Sequence, residues 1–246
     1  MKLYFIGFLH ELLRRHRRLL GVLLLGVFLP WAIFLKVSSE IREGEGFYGD
    51  LQALRWLHAH ATPTLDTLNL LLSRAGGPLV MAGLSGLIAG GLLWWRQRRK
   101  AWFFGVAVGG SAVINLLAKW VLGRARPALW TVLAPETSSS FPSGHAMGTA
   151  ALALTLGLML AHARARWLAW VLGAGFVLGV GFSRVYLGVH YPSDVLSGWI
   201  ASVGWVTGVY VLFSPYGREL RTIWGTVRQR HQAHRHRRAK TSLPPG

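Results

Sequence analysis

Six apolar runs, each stopped by basic residues or by a polar turn, set the terms for this chain. They cover residues 19–35, 78–95, a stretch from 101 toward Lys119, and residues 146–161, 167–189 and 194–213. Each approaches the roughly 17 to 25 residues that an α-helix needs to cross a hydrocarbon core. In lipid every backbone N–H and C=O must be satisfied within its own segment. The runs therefore predict an all-α, polytopic membrane helical bundle with six transmembrane helices. A soluble reading fails on composition. Hydrophobic residues make up 52% of the chain, charged residues only 15%, and the mean hydropathy is +0.37, which leaves too little polar surface for a domain in water.

The formal charge of +18 would point to nucleic acid in a soluble protein. Here the basic residues lie between and beside the apolar runs, at Arg14, Arg15, Arg17 and Arg18, at Arg96, Arg98, Arg99 and Lys100, and at Arg164 and Arg166. That placement marks cytoplasmic loops and predicts no nucleic-acid partner. By the same rule residues 36–77 lie outside, because Glu40, Glu43, Glu45, Asp50 and Asp66 oppose Lys36, Arg42, Arg55 and Arg74 there. Both termini then fall on the cytoplasmic side. The run after Arg18 lacks a small-residue cleavage site and reads as a span rather than a cleaved signal. The chain has no cysteine, so disulfides, thiolate nucleophiles and Cys-ligated metals are excluded.

Within residues 36–77, Asp50 is placed to cap a helix carrying Leu51, Leu54 and Leu57 on one stripe. Thr62-Pro63 reads as a cap followed by proline at the first helical position. These short surface helices lie on the outer side, either closing the bundle or forming a rim for lipid entry. Gly86 with Gly90, and Gly175 with Gly179, have the spacing of close helix packing. Asn115 is read as an interhelical hydrogen-bond partner.

Three polar clusters sit at the edges of these runs: Lys119 with Arg126-Pro127, then Pro142-Ser143-Gly144-His145, then Ser183-Arg184 with His190 and Asp194. The topology from Lys/Arg placement puts all three on the outer face. Lys119, Arg126 and Arg184 supply fixed positive charge and many N–H donors, which suits the oxygens of a phosphoryl group. Ser143 and Gly144 precede a helical run, so amides at a helix start face the same anion. Of His145 and His190, one imidazole can attack phosphorus and the other protonate a leaving oxygen. A carboxylate four residues after His190 can fix its tautomer. Glu136, the acid of the loop before the second cluster, is read as a solvated loop charge rather than a base. Arg124 is read as facing water or a lipid headgroup. No Asp, Glu or His group has the ligand spacing of a two-metal phosphatase.

The order K-x6-RP, PSGH, SR-x5-H-x3-D resembles the signature of the type-2 phosphatidic acid phosphatase and vanadate-haloperoxidase superfamily, in its membrane lipid-phosphatase branch. Every signature position is matched, over the middle third of the chain. The resemblance implies a lipid phosphate phosphatase that works without metal or other cofactor. His190 would be the nucleophile, Asp194 would orient it, and His145 would be the general acid. Lys119, Arg126, Ser143, Gly144 and Arg184 would bind phosphate. The implied organisation is an amphipathic and basic segment at 1–18, a six-span catalytic domain at 19–213, and a basic cytoplasmic tail at 214–246, partly disordered, against anionic lipids. The implied location is a bacterial inner (plasma) membrane with the active site facing the periplasm or exterior. Phosphatidic acid, phosphatidylglycerophosphate, a polyprenyl pyrophosphate and a lipid A phosphate all place a phosphate at the interface and stay open as substrates. A phosphotransferase or a non-hydrolytic lipid-binding protein on the same fold, a soluble haloperoxidase, and any oligomeric state stay open too.

Overall fold

A computed structural model describes residues 16–44, 47–164, 166–220 and 222. The amphipathic stretch expected before Arg14 and the basic, histidine-containing tail after Thr222 lie outside these residues. The described residues are helical, with no strand. They form α1 (Arg17–Arg42), α2 (Tyr48–Ala59), α3 (Pro63–Ala75), α4 (Pro78–Trp94), α5 (Arg98–Leu122), α6 (Gly144–Met159), α7 (Arg166–Tyr186) and α8 (Pro192–Phe213). The chain divides into two compact units, Met1–Val209 and Tyr210–Gly246. The first holds every motif residue. In the second, Ser214 closes α8 by donating its N–H to the Tyr210 carbonyl at 2.9 Å and its hydroxyl to the Val211 carbonyl at 3.1 Å.

By length and apolar composition α1, α5, α7 and α8 can each cross a membrane, and α3 with α4 makes a fifth candidate bent by 43°. α6 is apolar but only 16 residues long. Among the described residues there are thus four candidate spans, or five, by this measure where the sequence predicts six. α1 runs past the expected end at residue 35 to Arg42 and contains a π-helical turn at Leu24–Phe28. Pro30 follows that turn; it has no N–H for the i→i−4 ladder, and a π-turn is the usual way a helix absorbs such a break.

α6 is central. Its Ala146, Met147, Thr149, Ala150, Ala151, Leu152 and Thr155 are all buried, and small residues all round let neighbours approach from several sides. Met147 packs with Phe34 of α1, Phe141 and Ala201 of α8. Leu152 packs with Met81 of α4 and Phe104 of α5, and Ala146 with Leu54 of α2 and Val195 of α8. α2 is therefore a packing element. Leu54 is fully buried while Leu51 is exposed, and Leu57 packs with Tyr186 and Val189. Thr62 caps α3 as expected, its Oγ1 accepting the Leu65 N–H at 3.3 Å. Asp50 does not cap α2: Phe47 holds that position with no side-chain bond, and the Asp50 carboxylate turns inward instead.

The glycine spacings behave differently from expectation. A Cβ on Gly86, Gly90 or Gly175 meets nothing within 4 Å, and on Gly179 only Leu72 at 3.6 Å. Several of the close approaches are to tryptophan. A Cβ on Gly110 would lie 2.3 Å from Trp205, on Gly157 2.8 Å from Trp170, and on Gly181 2.2 Å from Trp199. Spacing marks a smooth helix face, but the bulky residue opposite decides where smoothness is required. Gly181→Ala should therefore destabilise the protein by roughly 1 to 3 kcal/mol, the usual cost of overpacking. Gly175→Ala should be neutral or slightly stabilising. Thermal unfolding of both in detergent checks this, and equal melting temperatures would contradict the α7–α8 contact.

Candidate active site

α5 ends at Gly123, whose φ of +56° is a left-handed conformation that suits glycine. Its N–H closes on the Lys119 carbonyl at 3.1 Å, and the chain turns into the loop 124–143 one turn after Lys119. Lys119 Nζ donates to the Ser138 hydroxyl at 3.2 Å and to the Ser139 carbonyl, so the loop is tied to the helix end. Asn115, one turn earlier, donates to the Pro142 carbonyl at 3.1 Å and to the Met147 sulfur of α6 at 3.7 Å; it is an interhelical hydrogen-bond partner as the sequence suggests, and it also ties the entry of α6. Trp130 stacks on His58 of α2, ring centroids 3.9 Å apart, and holds the loop's middle.

Ser143 is the N-cap of α6. Its hydroxyl accepts the Ala146 N–H at 3.5 Å and its own N–H goes to the Asp194 carbonyl at 3.1 Å. His145 thus stands in the first turn, and the Gly144 and His145 amides belong to the positive end of the helix. On the other side, Gly188 (φ +70°) turns the chain after α7, where any side chain would meet Trp130 at 2.8 Å. The Arg184 carbonyl takes the N–H of both Val189 and His190 at 3.3 Å. This turn places His190 and Asp194 side by side, both fully buried.

These elements converge on the carboxylate of Glu136. Its Oε2 accepts Arg126 Nη2 at 2.6 Å and its Oε1 accepts Arg184 Nη2. His145 Nδ1 lies 3.7 Å from Oε1, and His190 Nε2 lies 4.0 Å from Oε2. One oxygen faces one arginine and one histidine; the other oxygen faces the second pair. Glu136 is therefore not the solvated loop charge expected from its position. It is 27% exposed and fills the one point on which Arg126, Arg184, His145 and His190 all bear. Burial alone would raise its carboxyl pKa, but the Arg184 and Arg126 guanidinium groups outweigh that and hold it below the ordinary value. Arg184 is itself buried. It donates Nη1 to Ser73 of α3, and its buried Nε has no hydrogen-bond partner.

The orientation of His190 follows from its neighbours. Arg126 Nη1, which also donates to the Val189 carbonyl at 2.7 Å, stands 3.1 Å from His190 Nε2. An arginine nitrogen can only donate, so Nε2 carries the lone pair. Nδ1 then carries the proton, facing Asp194 Oδ2 at 3.4 Å. Burial, against the opposing pull of Asp194, lowers the His190 pKa to about 4, which leaves the ring neutral at pH 7. Asp194 Oδ2 also accepts the Ser140 hydroxyl and the Tyr191 N–H at 2.9 Å. Asp194 Oδ1 accepts Arg124 Nη1 at 2.5 Å. Arg124, read from the sequence as facing water or lipid, is 12% exposed and is bound to two carboxylates, Asp194 and Asp50.

The structure thus brings Arg126, Arg184, His145, His190 and Asp194 together, with Lys119 at the rim and Ser143 and Gly144 at the start of α6. Glu136, Arg124, Asp50, Ser140 and Ser73 were not identified as site residues from the sequence. Among the described residues no group of three or more His, Asp or Glu is placed to hold a metal ion.

Comparison with known proteins agrees with this geometry. Residues 100–218 match the model of the PAP2 superfamily, a stretch that contains every motif residue above. The chain is 28% identical over 200 residues to an undecaprenyl-diphosphatase of Sulfolobus acidocaldarius, covering 79% of this chain and 91% of that one. It is 28% identical over 141 residues to phosphatidylglycerophosphatase B of Bacillus subtilis, covering 55% and 69%. Its fold superposes on the crystal structure of a transmembrane PAP2 type phosphatidylglycerolphosphate phosphatase from Bacillus subtilis with a TM-score of 0.66 and 22% identity, over 77% of this chain and 94% of that one. The full motif set, the matching fold and these relatives point the same way, and residues 100–218 of the chain are similar to the PAP2 superfamily.

Proposed function

We propose that this protein is a PAP2 enzyme that hydrolyses a phosphomonoester or pyrophosphate of a membrane lipid through a phosphohistidine. The observation that carries the reading is the Glu136 carboxylate held by two guanidinium groups between two imidazoles. A site that grips a carboxylate so, with a further orphan donor on Arg184, is built for an anion with more oxygens than a carboxylate has. A substrate phosphoryl group takes the place of Glu136. It meets Arg126 and Arg184, with Lys119 and the amides at the start of α6 within the same rim, and these donors are set before charge develops on the oxygens.

His190 Nε2 attacks phosphorus as the bond to the leaving oxygen breaks, and Asp194 stabilises the imidazolium through Nδ1–H. His145, on the other side of the anion, gives its proton to the leaving oxygen. In the second step water attacks the phosphohistidine, His145 takes the water proton, and inorganic phosphate and free His190 result. Arg126 Nη1 has to release Nε2 for the first step, and a phosphoryl oxygen is a better acceptor for it than the imidazole.

The relatives named above act on undecaprenyl diphosphate and phosphatidylglycerophosphate by their names, and those two lipids, with phosphatidic acid, are the substrates we propose. The topology proposed with them has six membrane helices, α1 and α4 to α8, with both termini on the cytoplasmic side of a bacterial inner membrane and the site outside. The alternation of basic loops with the acid-containing residues 36–77 supports it. Anionic lipids at the cytoplasmic face are part of the same proposal.

Phosphate release from these lipids in detergent, with His190→Ala as blank, tests the activity. We expect release by the wild type and none by the variant; lipid binding with no phosphate released would leave a transferase or a binding protein. His145→Ala should keep more relative activity on para-nitrophenyl phosphate, whose leaving group needs no proton, than on a lipid phosphate. Equal loss on both would remove His145 from the acid role.

Glu136→Gln removes the charge that competes with an incoming anion. Half-inhibition by vanadate or inorganic phosphate should fall by about tenfold, which is about 1.4 kcal/mol, and an unchanged or higher value would show that Glu136 does not compete for the site. For the topology, Thr131→Cys should react with an impermeant thiol reagent in intact cells and Gln97→Cys should not. The reverse pattern would place the site inside.

A further inference from the structure

The mechanism leaves two buried charged residues without a task, Asp50 near the start of α2 and Arg124 just after Gly123. They meet each other and the carboxylate that faces His190. Arg124 Nη1 donates to Asp194 Oδ1 at 2.5 Å and to the Ser193 hydroxyl at 2.8 Å, and Nη2 donates to Asp50 Oδ2 at 3.0 Å. Asp50 in turn accepts the Ser193 N–H on Oδ1 at 3.0 Å and the Ser193 hydroxyl on Oδ2 at 2.5 Å. The Arg124 guanidinium lies over the Tyr191 ring, 4.0 Å from its centroid. Asp50, 143 residues away in sequence, thus supplies the cap for the first turn of α8, the turn that carries Asp194.

The division of labour on Asp194 gives this cluster its meaning. Oδ1 belongs to Arg124, while Oδ2 faces His190 Nδ1 and is held by Ser140 and the Tyr191 N–H. A carboxylate gripped at one oxygen cannot rotate the other away, and rotation is what a positioning carboxylate must not do. Arg124 makes no hydrogen bond to Glu136, His145 or His190, so it stands outside the anion point. We infer that Arg124, anchored by Asp50, is a positioning residue for Asp194 and, through it, for the nucleophile His190. The inference rests on the phosphohistidine reading above.

The two readings fail differently. Should His190→Ala retain activity, that reading is lost and this one with it; should His190→Ala be dead while Arg124 acts independently of Asp194, only this one is lost. The test is a double-mutant cycle on kcat with Arg124→Ala, Asp194→Asn and the pair, with vanadate inhibition measured on each. Arg124→Ala should lower kcat by about tenfold or more while KM and vanadate half-inhibition stay within about threefold, and in the Asp194→Asn background it should cost less than about twofold more. A purely structural role would give the same factor in both backgrounds, and that result, or a loss mainly in KM and vanadate affinity, overturns the proposal. Asp50→Asn keeps the shape of the cluster and removes its charge. Should Arg124→Ala not fold, Asp50→Asn must show the same dependence on Asp194, with a smaller loss in kcat; full additivity there overturns the proposal equally.

Discussion

The guanidinium of Arg184 is buried among helices at the last turn of α7, and a buried guanidinium without a counterion costs several kcal/mol. Much of the site follows from meeting that cost. Ser73 on α3 takes one nitrogen and Glu136 takes another, so a helix from residues 36–77 and a loop from between α5 and α6 are both drawn onto α7. Arg126 joins through the other oxygen of Glu136. The loop then ties itself down through Lys119, and Arg126 Nε donates to the Ser138 carbonyl at 2.8 Å. Positive charge in excess of one carboxylate is left at a single point, and on the proposed function this surplus is what attracts a phosphoryl dianion. In that reading the substrate completes an electrostatic arrangement that Glu136 only half satisfies.

Two such networks stand side by side and share His190. The first centres on Glu136 and is the proposed anion site. The second centres on Arg124 and holds Asp194. Both link residues far apart in sequence, 48 positions for Arg184–Glu136 and 74 for Arg124–Asp50, so only members with a fixed local motif spacing are legible in the sequence. Family motifs gave Arg126, Arg184, His145, His190 and Asp194 because those residues have fixed local spacings. Asp50 and Arg124 have no such spacing. A lone acid in a polar loop, like Glu136, is usually solvated, and Arg124 lies outside the signature positions. Lys119, Arg126 and Arg184 at the edges of apolar runs call for an anion in the unliganded protein, and Glu136 is the acid the neighbouring loop offers.

The all-helical fold was legible because backbone satisfaction in lipid dictates helices; of the six spans expected, four or five stand by length and composition among the described residues. The departures lie where tertiary partners decide. Asp50 had the composition of a helix cap and was taken by Arg124 and Ser193. Gly175 and Gly179 had the right spacing, but the tryptophan that needs a groove faces Gly181 instead. Thr62, Ser143 and Asn115 were read correctly because their partners are local or adjoin a motif.

The shortness of α6 ties fold to chemistry. Sixteen residues rise roughly 24 Å at about 1.5 Å each, less than the hydrocarbon thickness of about 30 Å. A lone span that short would be costly, yet α6 is buried along most of its length by its neighbours, several of which are long and apolar enough to cross a membrane. Its first turn carries Ser143 and His145, both buried, and Ala146 packs there against Leu54 of α2 and Val195 of α8. On the proposed function, the same shortness that makes α6 a poor span by length lets its start serve as an anion site at the membrane edge.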